Sequence, residues 1–316
     1  MKCVIVYFSQ TGNTEKIAKA VQSGVKEAAG NCDLLKIKDA NPKRLYEYDL
    51  IGLGSPVFHE EPLNVADFIE KLWSVGGKHI FLFTTHGTIP EFYFPAVVPK
   101  LKKKGMVVIG MRDWYADAFI PWHPEPYPTA GHPDEIDVKE AEQYGREMVD
   151  HSRRISAGEK GLLPADPPIP PPLPPTTELG IQDTTDDPSV FKYHKELCKF
   201  PKCRLCMDNC PMYSVDLSTT PPTIASRCQP HCTLCTLICP TGAMEIDGFI
   251  ESVVPHYKNT TKNLALPILD KAEKEGKFRR LVPVDKIGWD SYVYQVYNKH
   301  PKWIMGKGRC KPNNKQ

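Results

Sequence analysis

Lys2-Cys3-Val4-Ile5-Val6-Tyr7-Phe8-Ser9-Gln10-Thr11-Gly12-Asn13-Thr14 runs from a short apolar segment straight into a polar, glycine-containing turn. The apolar part is too short for a buried helix and is rich in β-branched residues, so it reads as a strand buried on both faces. Thr14–Ala29 follows, with Ile17, Ala20, Val21, Val25 and Ala28 at helical spacing on one face. A strand that turns at once into a helix is the opening of a βαβ unit. Four more apolar runs continue the pattern: Leu34–Ile37, Leu50–Gly54, His79–Thr84 and Met106–Met111. Val65–Trp73, Phe92–Lys104 and Val138–Ile155 read as the intervening and closing helices. The fold class is therefore α/β, a five-stranded doubly wound parallel sheet with helices on both faces.

In such sheets ligands bind beyond the carboxyl ends of the strands. The turn Ser9–Thr14 lies there, and a helix start offers free N–H groups and partial positive charge, which suits a phosphate monoester. Ser9, Thr11 and Thr14 add hydroxyls, while Gly12 lets the backbone wrap closely. A plain capping turn is the competing reading, because Ser, Thr and Asn are common helix caps. The turn lacks Gly-Lys-Ser/Thr, and Gly52-Leu53-Gly54 lacks the third glycine of a dinucleotide fingerprint.

The loop also resembles the flavodoxin signature, over about residues 1–155. That resemblance implies FMN, its phosphate held by Ser9, Gln10, Thr11, Gly12, Asn13 and Thr14. It further implies a second loop at Ser55, Pro56, Val57 and Phe58, with Phe58 stacked on the ring. A third loop at Thr84, Thr85, His86 and Gly87 would meet the pyrimidine edge. Trp114 and Tyr115 would cover the other ring face, with core packing as their alternative role; for His86 the alternative is a solvent-facing loop position. Residues 55–60 contain no glycine, so the resemblance omits the glycine carbonyl that in flavodoxins reaches flavin N5–H in the semiquinone.

The second half is governed by cysteine. Cys198-x4-Cys203-x2-Cys206-x3-Cys210-Pro211 and Cys228-x3-Cys232-x2-Cys235-x3-Cys239-Pro240 contain eight of the eleven cysteines. Thiolates two and three residues apart in tight turns can reach neighbouring iron corners of one cubane, and the fourth ligand must come from farther away. Zinc is the alternative, but four-cysteine zinc sites pair two C-x2-C knuckles. Residues 197–248 resemble the bacterial two-[4Fe–4S] ferredoxins, apart from first spacings of x4 and x3 where that family has x2. The resemblance implies one cluster on Cys198, Cys203, Cys206 and Cys239, and the other on Cys228, Cys232, Cys235 and Cys210. It gives a small α+β domain. The whole chain resembles flavodoxin–ferredoxin fusion proteins of anaerobes.

The expected organisation is a flavodoxin-like domain at 1–160, a proline-rich linker at 161–188, a ferredoxin-like domain at 189–250 and an aromatic, basic extension at 251–316. Residues 164–175 hold eight prolines, which favours an extended spacer of roughly 35–40 Å. Such a spacer permits a head-to-tail homodimer. The net charge of +2 gives no reason to expect nucleic acid, and no apolar stretch is long enough to span a membrane. Met1–Phe8 does not read as a secretory leader, so the thiols are expected in a reducing cytoplasm. The resemblance implies an electron-transfer protein, carrier or oxidoreductase module, passing low-potential electrons between FMN and the clusters to or from a redox partner protein. Corrinoid-dependent and radical-forming enzymes are the expected partner classes. A flavoenzyme reducing a small acceptor at FMN, with the clusters as internal wires, is the second reading, and a zinc-binding adaptor the third.

Overall fold

The computed structural model describes residues 1–74, 76–118, 123–171, 191–211, 213–219, 223–224, 232–246 and 254–290. They fall into two compact units, 1–117 with 131–171, and 118–130 with 172–316. Among the described residues no helix is long and apolar enough to cross a membrane.

In the first unit β1 (Cys3–Tyr7), β2 (Asp33–Lys36), β3 (Leu50–Pro56), β4 (His79–His86) and β5 (Val107–Tyr115) form one sheet in the order β2-β1-β3-β4-β5. Every pairing is parallel, so all five carboxyl ends open on the same edge. The connecting helices are α1 (Asn13–Ala29), α2 (Leu63–Glu70), α3 (Tyr93–Lys103) and α4 (Glu135–Ser156).

Alternation along the strands divides the apolar side chains into two cores. Val4, Val6, Ile51, Leu53, Ile80 and Leu82 pack with α2 and α3. Ile5, Tyr7, Phe81 and Phe83 pack with α1 and α4. Gly52 and Gly54 are required for space: a Cβ at Gly54 would lie 2.1 Å from the Phe83 ring, and one at Gly52 2.7 Å from the Phe81 ring. This packing, not a phosphate turn, explains that glycine pair.

The fifth strand runs on to Tyr115, past the Met111 end expected from the apolar run, and carries an irregularity. Ile80 pairs with Val108, but Phe81 pairs with Gly110. The extra residue reverses the inside–outside order downstream. Met111 therefore faces the first core, and Trp114 enters the second. The seam between β4 and β5 ends in a side-chain pair, with His86 Nε2 2.9 Å from Asp113 Oδ2. Burial would push the Asp113 carboxyl up, but the hydrogen bond and charge of His86, a backbone N–H and Arg112 hold it below its ordinary value.

The cysteine-containing unit is built of short pieces. β6 (Phe191–Tyr193) pairs antiparallel with β9 (Met244–Ile246), and β7 (Val215–Asp216) with β8 (Thr223–Ile224). The short helices α5 (Leu205–Asn209) and α6 (Leu234–Leu237) pack against each other. Val254–Lys274 forms one further helical stretch: α7 (Val254–Thr260), a π turn (Thr261–Ala265) and α8 (Leu266–Lys274). The sequence expectation of an aromatic, basic extension did not include these helices. Residues 118–130 cluster with this unit, although a boundary at 160 assigns them to the first. There His123 stacks on Tyr127 at 4.6 Å, and Gly288 N–H donates to the Pro126 carbonyl at 3.2 Å. Of the proline-rich segment, residues 164–171 are described and belong to the first unit; the remainder lies outside the described residues.

Two expectations about stability follow. A Cβ at Gly145 of α4 would lie 2.3 Å from the Val21 carbonyl oxygen of α1. Gly145→Val should therefore cost about 3 kcal/mol or prevent folding of this unit, read by urea denaturation; a change below about 0.5 kcal/mol would contradict the packing. Asp113 has its native pKa depressed, so its contribution is present above its unfolded value and lost as pH falls through the native one. Its side chain is 42% exposed, which limits Asp113→Asn to a loss of about 1 kcal/mol or less at pH 7. Denaturation at low pH should show that gap closing.

Candidate functional site

Four loops meet at the carboxyl edge of the parallel sheet. The first, Ser9–Thr14, leads into α1, whose cap is Gly12 at φ 101° and ψ −14° with no side-chain capping bond. Most residues avoid this left-handed conformation, which glycine adopts freely. The competing reading of a Ser, Thr or Asn cap is thus not what the chain builds. Ser9 Oγ accepts from Gly12 N–H at 3.1 Å. Asn13 Nδ2 reaches the Asp117 carbonyl at 2.8 Å, and Thr14 Oγ1 lies 2.7 Å from Thr85 Oγ1. The polar side chains bind the loop to its neighbours and leave the first turn of α1 without a side-chain cap. A phosphate fits that arrangement: uncapped helix N–H groups, a Gly12 that keeps Cβ atoms out of the way, and the hydroxyl-bearing Thr11 beside it.

The second and third loops are tied together. Thr84 Oγ1 donates to the Ser55 carbonyl at 2.7 Å, and Val57 N–H to the Thr85 carbonyl at 3.3 Å. Pro56, Val57 and Phe58 are half-buried, and Val57 and Phe58 lie against the first core. His59 carries φ 71° and places Nδ1 2.8 Å from Glu91 Oε2, joining the second loop to the segment after Gly87.

Two sequence assignments take a different form. Trp114 is 3% exposed and packs on Tyr144 inside the second core, so its place is the core and not the cover of a ring. The bulge in β5 is the cause. Tyr115 stays half-buried at the edge, its ring 4.7 Å from that of His86. His86 is not solvent-facing: its side chain is 1% exposed, and its Nδ1 is buried without a protein partner. Asp113 and Asp117 were missed, since the apolar run seemed to end at Met111. The one available signal was the Arg112-Asp113-Trp114-Tyr115 sequence directly after it.

At the start of α4, Asp134 caps the helix, Asp137 closes the capping box, and His132 Nδ1 lies 2.6 Å from Asp137 Oδ2. These three groups form a tight ligand-like trio, but the cap accounts for them.

In the second unit Cys198, Cys203, Cys206 and Cys239 line one cavity of about 370 Å³, measured with its opening to solvent. Three come from the first cysteine run and one from the second. Backbone N–H groups point at their sulfurs: Phe200 to Cys198 at 3.4 Å and Ala243 to Cys239 at 3.2 Å. Burial, followed by the charges of Cys239, Cys203 and Cys198, pushes the Cys206 thiol up to about 12. A thiol raised in this way serves as a thiolate only where a cationic centre offsets its charge. The four-sulfur donor set fits a thiolate-bound metal centre such as an iron–sulfur cluster. Among the other run members, Cys210 Sγ accepts from Ser214 N–H at 3.3 Å, and Cys232 and Cys235 are buried. Cys228 lies outside the described residues.

Comparison with known proteins bears on the first unit. The flavodoxin-domain family matches residues 4–105. The flavodoxin of Megasphaera elsdenii is 32% identical over 110 residues, which is 34% of this chain and 80% of that protein. An uncharacterised protein of Methanocaldococcus jannaschii is 29% identical over 164 residues, 47% of this chain and 99% of its own length. The solved structure of two-electron reduced Megasphaera elsdenii flavodoxin aligns at 26% identity and a TM-score of 0.38, covering 48% of this chain and 99% of that one. Through its N-terminal half, this chain belongs to the flavodoxin family.

Proposed function

We propose that the chain is a two-cofactor electron-transfer protein. Its flavodoxin-like unit holds FMN at the carboxyl edge of the sheet, and its cysteine-rich unit holds two [4Fe–4S] clusters. The observation that carries the reading is the cavity in which Cys239, from the second run, joins Cys198, Cys203 and Cys206 from the first. Interlocked ligation of that kind is what two-cluster ferredoxins use, and a pair of independent zinc knuckles has no need of it.

The residues divide the work. The first turn of α1, with Ser9, Thr11 and Gly12, receives the phosphate. Phe58 and Tyr115, half-buried at the edge, border the ring, and the hydrogen bonds among Thr14, Thr84, Thr85 and Ser55 hold the three loops in register. The thiolates of the two runs anchor the iron, and main-chain N–H groups directed at sulfur lower the cost of the negative charge there. When bound, FMN exchanges one or two electrons and each cluster one. A redox partner protein supplies or receives them, and the charge of the basic tail, Lys299 to Lys315, suits an acidic docking surface.

Two experiments test the halves separately. Thr11→Ala should weaken FMN binding roughly tenfold while leaving riboflavin, which lacks the phosphate, unaffected; equal losses for both flavins would contradict the phosphate assignment. For the clusters, Cys206→Ser and Cys239→Ser should remove the same electron-paramagnetic signal, although they belong to different runs. Cys235→Ser should remove the other one. Grouping of Cys239→Ser with Cys235→Ser would mean that each run closes its own site.

A further inference from the structure

Two hydroxyl groups stand at the cavity of Cys198, Cys203, Cys206 and Cys239. Thr241 Oγ1 lies 3.6 Å from Cys239 Sγ, the sulfur that already accepts from Ala243 N–H. Tyr193 lines the same cavity. Its position is fixed by the sheet, because Tyr193 pairs with Met244 across β6 and β9, and His194 N–H bonds the Ala243 carbonyl. Cys239 thus has one backbone N–H and one side-chain O–H within reach, and Tyr193 shares the cavity with Cys198, which accepts from Phe200 N–H.

Resting on the cluster reading above, we propose that Tyr193 and Thr241 donate O–H···S hydrogen bonds to Cys198 and Cys239 and thereby raise the reduction potential of the cluster in this cavity. The direction of both bonds follows from chemistry. A thiolate bound to iron has no proton, so it can only accept, and each hydroxyl must donate. Reduction adds one electron from an external donor and no proton, and part of the added charge resides on the ligating sulfurs. A donor aimed at sulfur stabilises the reduced form more than the oxidised one, and the potential rises. Cys210, a ligand expected of the other cluster, accepts from Ser214 N–H at its sulfur. That second cluster serves as an internal reference.

The test is an anoxic redox titration of the full-length protein, followed by electron paramagnetic resonance. Tyr193→Phe keeps the ring and removes one oxygen; Thr241→Val keeps the shape and removes the other. Each should shift one of the two midpoints to a more negative value and leave the second in place. The double variant should shift that same midpoint further, and Thr241→Ser should retain the original value. After exchange into heavy water, each single variant should also lose one exchangeable deuteron coupled to the affected cluster. Unmoved midpoints at full iron content would overturn the proposal while leaving the cluster reading intact. Equal movement of both midpoints, or loss of one cluster's iron in Tyr193→Phe, would overturn it too, because the hydroxyl would then act on the fold. A preparation without iron would remove the cluster reading itself, and this proposal with it.

Discussion

A parallel sheet covered on both faces has only its edges free for a ligand, and this constraint organises the N-terminal unit. Because all five strands run the same way, four loops are delivered to one rim. There they bond to each other through Thr14, Thr85, Ser55 and Asn13. The close approach of α1 to α4, made possible by Gly24 and Gly145, fixes where the first of those loops ends. The glycine cap of α1 then leaves its opening turn without a side-chain partner of its own. Fold and site are thus two consequences of the same packing.

The cysteine-rich unit works by a different economy of forces. Among the described residues its strands have two or three residues, its α5 and α6 helices five and four, and one core cluster contains cysteines alongside Val215, Leu217 and Met244. So small a core supplies little stability by burial alone. Metal ligation gives such domains the missing free energy, and here it would also relieve the unfavourable burial of Cys206 among its neighbouring thiols. If this unit holds the proposed clusters, ligand binding and folding are coupled in it, whereas the flavodoxin-like unit has two ordinary cores of its own.

Much of the first unit was legible in the sequence because its strands are continuous apolar runs and its helices strongly periodic. Val4–Val6 and Ile17–Val25 announce their burial directly. What could not be read was the bulge at Ile109 and Gly110. A single unpaired residue has no signature in hydrophobicity, yet it decides that Trp114 enters the core and that Asp113 meets His86. The cap of α1 was likewise hidden, since Ser9, Asn13 and Thr14 have the composition of ordinary capping residues and bond elsewhere instead. In the second unit, spacing grouped the cysteines but was silent on Thr241, a local neighbour of Cys239, and on Tyr193, which the pairing of β6 with β9 brings to the cavity. The grouping of residues 118–130 with the second unit depends on contacts distant in sequence, such as that between Pro126 and Gly288.

Whether one chain holds both a flavin and paired iron–sulfur clusters is decided by quantitative analysis of iron, acid-labile sulfide, zinc and flavin in full-length protein purified without oxygen. A protein with both cofactors should yield about eight iron and about eight sulfide per chain, together with about one FMN released on denaturation. Stoichiometric zinc without sulfide, in a protein that retains no flavin, would contradict that reading.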